Sequence, residues 1–391
     1  MNTAISDIWF RQRPVILSPD LDPVSSVPIT PIEFHRRLPG YIPTPVHDLP
    51  DLASELKIEQ VLVKDETSRL DLPAFKMLGA SWAIYRSLAD RWPDLSHNWS
   101  TIDELRDQVQ AHEPISFAAA TDGNHGRAVA RMAAMLGCDA TIVVPAGMVQ
   151  ARIDAIEGEG AKVEIVEGTY DAAVARSAEL ASASCLVISD TAWPGYDRVP
   201  RWVIEGYSTM FLELEEQCRF LPSHFFVPMG VGALAAAAIV AARHRMPPAT
   251  VIGVEPNSAA CVLKSLQHNT PMIAPGPHES IMAGLNCDQP SPIAWPVLAA
   301  GLNASVSIPD DAAREAMRAL ARQDIVVGET GAASLGGLLG IAGASDATNL
   351  RSRLHLDKRA RVLILATEGA TDPAAWEKIT RRSLQKALSQ T

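Results

Sequence analysis

Short runs of β-branched and aliphatic residues alternate along the chain with longer, alanine-rich amphipathic stretches. That alternation builds parallel sheets covered by helices, so the predicted class is α/β, with two open, mostly parallel sheets carrying helices on both faces. The runs predict strands over residues 60–64, 115–119, 140–144, 162–166, 185–189, 223–228, 251–255 and 361–366. Four of them fall between 79 and 190 at regular βα spacing, enough to close a compact sheet, and are read as a small inserted α/β domain over 79–190. The large domain is then discontinuous, 1–78 and 191–391, with an active site expected in the crevice where the lobes meet.

Two stretches break the alternation. Residues 88–114 are polar and longer than an ordinary connection, which predicts a surface insertion with some helix. The first forty residues carry Pro14, Pro19, Pro23, Pro28, Pro31 and Pro39. Prolines at this density disfavour regular helix and predict an extended arm along a surface. An arm that crosses to a second copy would make a homodimer.

Composition narrows the classes. A chain of 391 residues, 47% hydrophobic, exceeds what one core sustains and can fill two lobes. The formal charge is -11, with Lys and Arg scattered, so the electrostatic footprint of a nucleic-acid binder is missing. Five cysteines, odd in number and without a C-x-x-C pair, argue against a disulfide framework or a zinc site and fit a reducing cytoplasm. Asp7, Arg11 and Arg13 interrupt the opening residues, which therefore lack a signal-peptide core. The longest apolar run, 233–242, is too short to cross a bilayer, so no membrane partner is expected. The triplets beginning at Asn98 and Asn303 spell glycosylation sequons that would matter only in a secreted chain.

Three segments carry candidate chemistry. Lys76 stands where a turn signalled by Asp71 and Pro73 gives way to a helix. A helix start disfavours a cation, and Phe75, Met77 and Leu78 add desolvation, so both effects favour the neutral amine that attacks an aldehyde. Taken alone, it reads more readily as a solvated surface lysine, since most lysines are exposed. Thr121-Asp122-Gly123-Asn124-His125-Gly126 follows a predicted strand and precedes a helix expected near Arg127. Its small residues admit a ligand, its hydroxyl, carboxylate and amide can bind one, and free amides at the helix start could receive a substrate carboxylate. Ordinary loop chemistry would also write such a turn. Gly230-Val231-Gly232-Ala233-Leu234 links a strand to an apolar helix. It lacks both the third glycine of a dinucleotide fingerprint and the lysine of a P-loop, so its natural guest is a single phosphate. Tight helix-on-strand packing would also explain the glycines.

In this order, the three segments resemble the threonine dehydratase and tryptophan synthase β-subunit superfamily, the type II pyridoxal phosphate fold. Within it the chain is most similar to the diaminopropionate ammonia-lyase family, through residues 74–79 and 120–126. Further agreement lies at Asp190-Thr191-Ala192-Trp193 with Gly195-Tyr196, and at residues 254–256, 281–287, 331–333 and 367–372. The resemblance implies pyridoxal 5'-phosphate held by Lys76 as a Schiff base beside Phe75. It implies Asn124 on the cofactor's 3'-oxygen, residues Gly230 to Leu234 around its phosphate, and a Thr367 hydroxyl near the pyridine nitrogen. Asp122 and Asp190 match aspartates assigned to proton transfer from two sides of a small amino-acid substrate, with Thr121, Gly123 and His125 lining its place. The implied reaction is α,β-elimination of D- or L-2,3-diaminopropionate to pyruvate and ammonia. Leu70 and Asp71 stand where an aromatic residue and a glycine are expected, and Met229 and Val231 where the wider superfamily tends to glycine. These departures leave open a dehydratase or β-replacement enzyme acting on serine, threonine or 3-hydroxyaspartate. A non-catalytic cofactor-binding protein is the third reading, opposed by the intact Lys76, Asp122 and Asp190.

Overall fold

A computed structural model describes residues 3–12, 27–121, 123–168, 170–245 and 249–389. Its strands are β1 (Asp7–Phe10), β2 (Val46–Asp48), β3 (Gln60–Asp65), β4 (Ser116–Ala120), β5 (Asp139–Pro145), β6 (Lys162–Val166), β7 (Cys185–Val187), β8 (His224–Pro228), β9 (Thr250–Pro256), β10 (Ala304–Ile308) and β11 (Arg361–Ala366). All eight predicted strands are present. The three unpredicted ones are short: β1 and β2 form antiparallel edges, and β10 is a serine-interrupted strand between β1 and β9.

Contacts divide the chain into two compact units. The first comprises residues 1–22, 43–68 and 210–391 and holds a seven-stranded sheet in the order β1-β10-β9-β8-β11-β3-β2, parallel except at its two edges. Its inner strands are buried almost throughout, on both faces, as in a sheet covered by helices. The second comprises residues 23–42 and 69–209 and holds a parallel four-stranded sheet, β6-β5-β4-β7. It is wider than the 79–190 expected from strand spacing, because the helices Pro31–His35, Lys76–Arg91 and Arg198–Gly206 pack on one another.

Local chemistry decides the remaining differences. Pro31 occupies the first turn of a short helix, where proline's missing N–H costs nothing, and Thr30 and Glu33 close a capping box ahead of it. The predicted arm is therefore partly strand and partly helix, while residues 13–26 lie outside the described part. The 88–114 insertion contains the helix Ile102–Gln110 and buries Trp92, Leu95 and Trp99. Trp99 joins Phe34, Trp82 and Tyr85 in an aromatic cluster. The helix expected near Arg127 begins at Asn124. Among the described residues, no helix is long and apolar enough to cross a membrane.

Candidate active site

In the second unit the chemistry gathers on the loops that follow β4 and β7. Lys76 is the first residue of the helix Lys76–Arg91, with Phe75 at the N-cap. The chain reaches it through Leu70 and Asp71, both left-handed at φ 52° and 60°. Such a conformation costs a non-glycine residue about 1–2 kcal/mol. Burial of the Leu70 side chain opposes that cost. Phe75 is buried and packs against Tyr207, their ring centroids 4.8 Å apart. The Lys76 side chain remains 23% exposed, and its Nζ donates to Asp190 Oδ2 at 2.6 Å. The sequence suggested an amine kept neutral by the helix start and its apolar neighbours; the structure sets a carboxylate against it, from 114 residues away.

Asp190 lies three residues beyond β7 and is 9% exposed. The backbone on both sides of it is pinned. Ile188 N–H donates to Ala118 C=O, His125 Nε2–H donates to Ile188 C=O at 2.8 Å, and Thr191 N–H donates to Ser189 Oγ. Burial acts to raise the Asp190 carboxyl, but the Lys76 ammonium outweighs it, aided by His125, and holds the group well below the usual carboxylate range. The Tyr170 hydroxyl donates to the other oxygen, Oδ1, at 3.4 Å. Burial pushes the nearby Tyr207 phenol up, while Lys76 pulls it down.

The turn after β4 is held by Thr121, whose buried Oγ1 accepts from Gly123 N–H at 2.9 Å and Gly126 N–H at 3.0 Å. A side chain at Gly126 would collide with Thr121 Cγ2 at 2.4 Å, so this glycine is required by packing. Asn124 is half-buried at the helix start and His125 is buried behind it. Asp122 lies outside the described residues.

The first unit supplies a different set of groups. β8 ends at Pro228, and Gly230-Val231-Gly232 leads into the helix Ala233–Val240 with no side-chain cap. Its first amides are therefore open to an anion. Gly232 has φ +94°, and a Cβ there would meet Leu298 Cδ1 at 2.4 Å; one at Gly230 would come within 3.0 Å of both Cys287 Sγ and Gly284 O. The backbone thus follows a path that side chains would obstruct. Ala233 and Leu234 are buried. Thr367, immediately after β11, buries its Oγ1 without a hydrogen-bond partner. Buried hydroxyls are normally satisfied, so this one fits a site for a ligand acceptor or donor.

These groups suit the cofactor that the resemblance implies. Lys76 offers a partly open primary amine, the loop from Gly230 to Leu234 offers backbone amides at a helix start, and Thr367 offers an unspent hydroxyl. Tyr170 and Tyr207 were missed in the sequence. No local motif surrounds either, and only their approach to Asp190 and Lys76 singles them out.

A family model described as pyridoxal-phosphate dependent enzyme matches residues 37–368. The diaminopropionate ammonia-lyase of Escherichia coli (strain K12) is 36% identical over 358 residues, 89% of each chain. A crystal structure of the Escherichia coli enzyme with an aminoacrylate-PLP azomethine reaction intermediate superposes with a TM-score of 0.85, at 32% identity, covering 96% of this chain and 98% of that one. Its complex with D-serine gives a TM-score of 0.86 at 33% identity, covering 96% and 97%.

Proposed function

The chain belongs to the diaminopropionate ammonia-lyase family of pyridoxal-phosphate dependent enzymes, and from that premise we propose that it eliminates ammonia from 2,3-diaminopropionate, releasing pyruvate and two ammonia molecules in all. The observation that carries the assignment is the Lys76–Asp190 pair, an amine still partly open to solvent 2.6 Å from a buried carboxylate. When bound, pyridoxal phosphate supplies the sink for the electrons left at the substrate's α-carbon.

Lys76 anchors the cofactor and, once displaced by substrate, takes the α-proton. Asp190 keeps the lysine nitrogen in place and holds the substrate's β-ammonium by a charge-assisted hydrogen bond. A protonated amine is the better leaving group, and the carboxylate keeps that proton on nitrogen as the C–N bond breaks. Tyr170 fixes the second carboxylate oxygen so that Oδ2 faces the lysine. Asn124 and Thr367 bind polar atoms of the ring, and Gly230 to Leu234 bind the phosphate. Asp122 manages a proton from a second side of the substrate, with Thr121, Gly123 and His125 shaping its place. The released aminoacrylate hydrolyses in water to pyruvate and the second ammonia.

The same reading includes a homodimer, expected from the proline-rich N-terminal arm, and a reducing cytoplasm, for which the five free cysteines are the support. The test is pyruvate formation by the cofactor-loaded protein from D- and L-diaminopropionate, assayed separately. Release from at least one enantiomer, faster than from serine or threonine, is expected. A protein that binds the cofactor yet forms pyruvate faster from serine would move the assignment to a dehydratase.

A further inference from the structure

Besides the bonds already described, the segment that carries Asp190 is held by the side chain of Tyr196. Trp193-Pro194-Gly195-Tyr196 forms a tight turn: Trp193 N–H donates to Tyr196 C=O at 3.3 Å and Tyr196 N–H to Trp193 C=O at 2.9 Å. Gly195 has φ +85°, the conformation a type II turn demands at its third residue, and Pro194 fits the second. The turn lays the Trp193 and Tyr196 rings face to face, with centroids 4.0 Å apart and planes 9° apart. From there the Tyr196 hydroxyl reaches back across the chain. It accepts from Ser189 N–H at 3.0 Å and donates to Val187 C=O at 2.7 Å.

One hydroxyl thus ties both the last residue of β7 and the residue immediately before Asp190. A cleft of about 350 Å³, lined in part by Val187, Trp193, Gly195 and Tyr196, runs beside this turn, so the ring is not enclosed on every side. We infer that Tyr196 is a positioning residue for the reaction, acting through Asp190: it clamps residues 187–189 so that the carboxylate stays against the Lys76 nitrogen. The inference rests on the role proposed above for Asp190. Removing the hydroxyl leaves two backbone groups to find other partners and lets the strand end drift toward the cleft.

The test uses the full-length, cofactor-loaded protein and two readouts: kcat and KM for pyruvate release, and the midpoint of the pH titration of the bound cofactor's absorbance. A nearby carboxylate favours the protonated form of the lysine–cofactor nitrogen, so loosening Asp190 moves that midpoint to lower pH. Tyr196→Phe is expected to lower kcat about 10-fold, with KM changed less, as misplacement of a reacting group does. It should move the midpoint in the same direction as Asp190→Asn. In an Asp190→Asn background it should add no further shift of the midpoint, because the two act as one unit. Tyr85→Phe, which removes a hydroxyl bonded to His97 elsewhere in the same unit, should leave both readouts unchanged. If Tyr196→Phe folds poorly, Gly195→Ala provides the same test at smaller size, since its Cβ would meet nothing within 4 Å and only the left-handed turn is strained. A wild-type midpoint and kcat in these variants would overturn the inference, as would an equal additional shift in the Asp190→Asn background. An Asp190→Asn protein with wild-type turnover would overturn the role of Asp190 and this inference together. An impaired Asp190→Asn beside an unimpaired Tyr196→Phe would overturn the inference alone.

Discussion

Two lysine–carboxylate pairs in this chain have nearly the same length and opposite uses. Lys76 lies 2.6 Å from Asp190, and Lys64 lies 2.7 Å from Glu213. Lys64 and Glu213 are completely buried, and the ammonium also donates to Thr44 C=O and Gln217 Oε1, each at 2.8 Å. Three donors meet three acceptors, so nothing is left with which to react. Lys76 keeps 23% of its side chain open, at a helix start where the sheet's loops converge. Distance alone would not tell the two apart. What separates them is access together with the uses already made of each donor: the first pair suits chemistry and the second suits the core of the seven-stranded sheet's unit.

That contrast is open to direct challenge. Lys76→Ala is expected to reduce pyruvate release by about 10⁴-fold or more, a loss typical of removing a group that forms the covalent link, and to lower the urea midpoint less than loss of Lys64 does, because the Asp190 left behind is less deeply buried than Glu213. Lys64→Met should do the reverse. Leaving Glu213 buried without its cation costs about 3–5 kcal/mol, visible in urea denaturation, with turnover per folded molecule retained. Asp190→Asn should lower kcat by about 100-fold with KM less affected, the range of lost general acid–base help. If Lys64→Met abolished turnover per folded molecule as Lys76→Ala does, the distinction between the pairs would collapse.

A third buried carboxylate sharpens the point by having amides in place of a lysine. Glu255 accepts from Val262 N–H, Leu263 N–H and the Ser305 hydroxyl, yet burial pushes its pKa up to about 8. A carboxyl raised in the folded state contributes stability below its unfolded value, near 4.5, and loses it as pH climbs through about 8. Chemical denaturation should therefore show stability falling by about 1 kcal/mol per pH unit across that window. Glu255→Gln should flatten the slope. Asp190, depressed by its lysine, has the opposite sign: its contribution persists above the ordinary aspartate range and is lost only as pH falls below 3.8. The smallest expected effect is at Thr367. Thr367→Val removes a buried hydroxyl without a partner, so the cofactor-free protein should gain about 1 kcal/mol while cofactor affinity falls several-fold.

Much of the fold was legible because parallel strands under helices write short apolar, β-branched runs, and all eight runs read that way became strands, the half-exposed and charge-interrupted β6 included. The short edges β1 and β2 were not, since three or four residues of mixed polarity pair only because a neighbour offers an open edge. The sequon at Asn303 shows the same limit. Its side-chain oxygen accepts from Val251 N–H and from Arg243, a use that only the tertiary structure reveals. At the site, Lys76, the glycine loop and Asp190 were readable from motif and order. The partnership of Lys76 with Asp190, and the parts played by Tyr170 and Tyr196, depend on loops after β4 and β7 that meet only in the folded sheet.

The central claim is that Lys76, and not the equally paired Lys64, carries the cofactor. Borohydride reduction of the cofactor-loaded protein, followed by peptide mapping in a mass spectrometer, tests it most directly. The account predicts the phosphopyridoxyl mass on the peptide containing Lys76 and an unmodified peptide containing Lys64. Label on Lys64, or on neither lysine in a protein that retains full turnover, would contradict it.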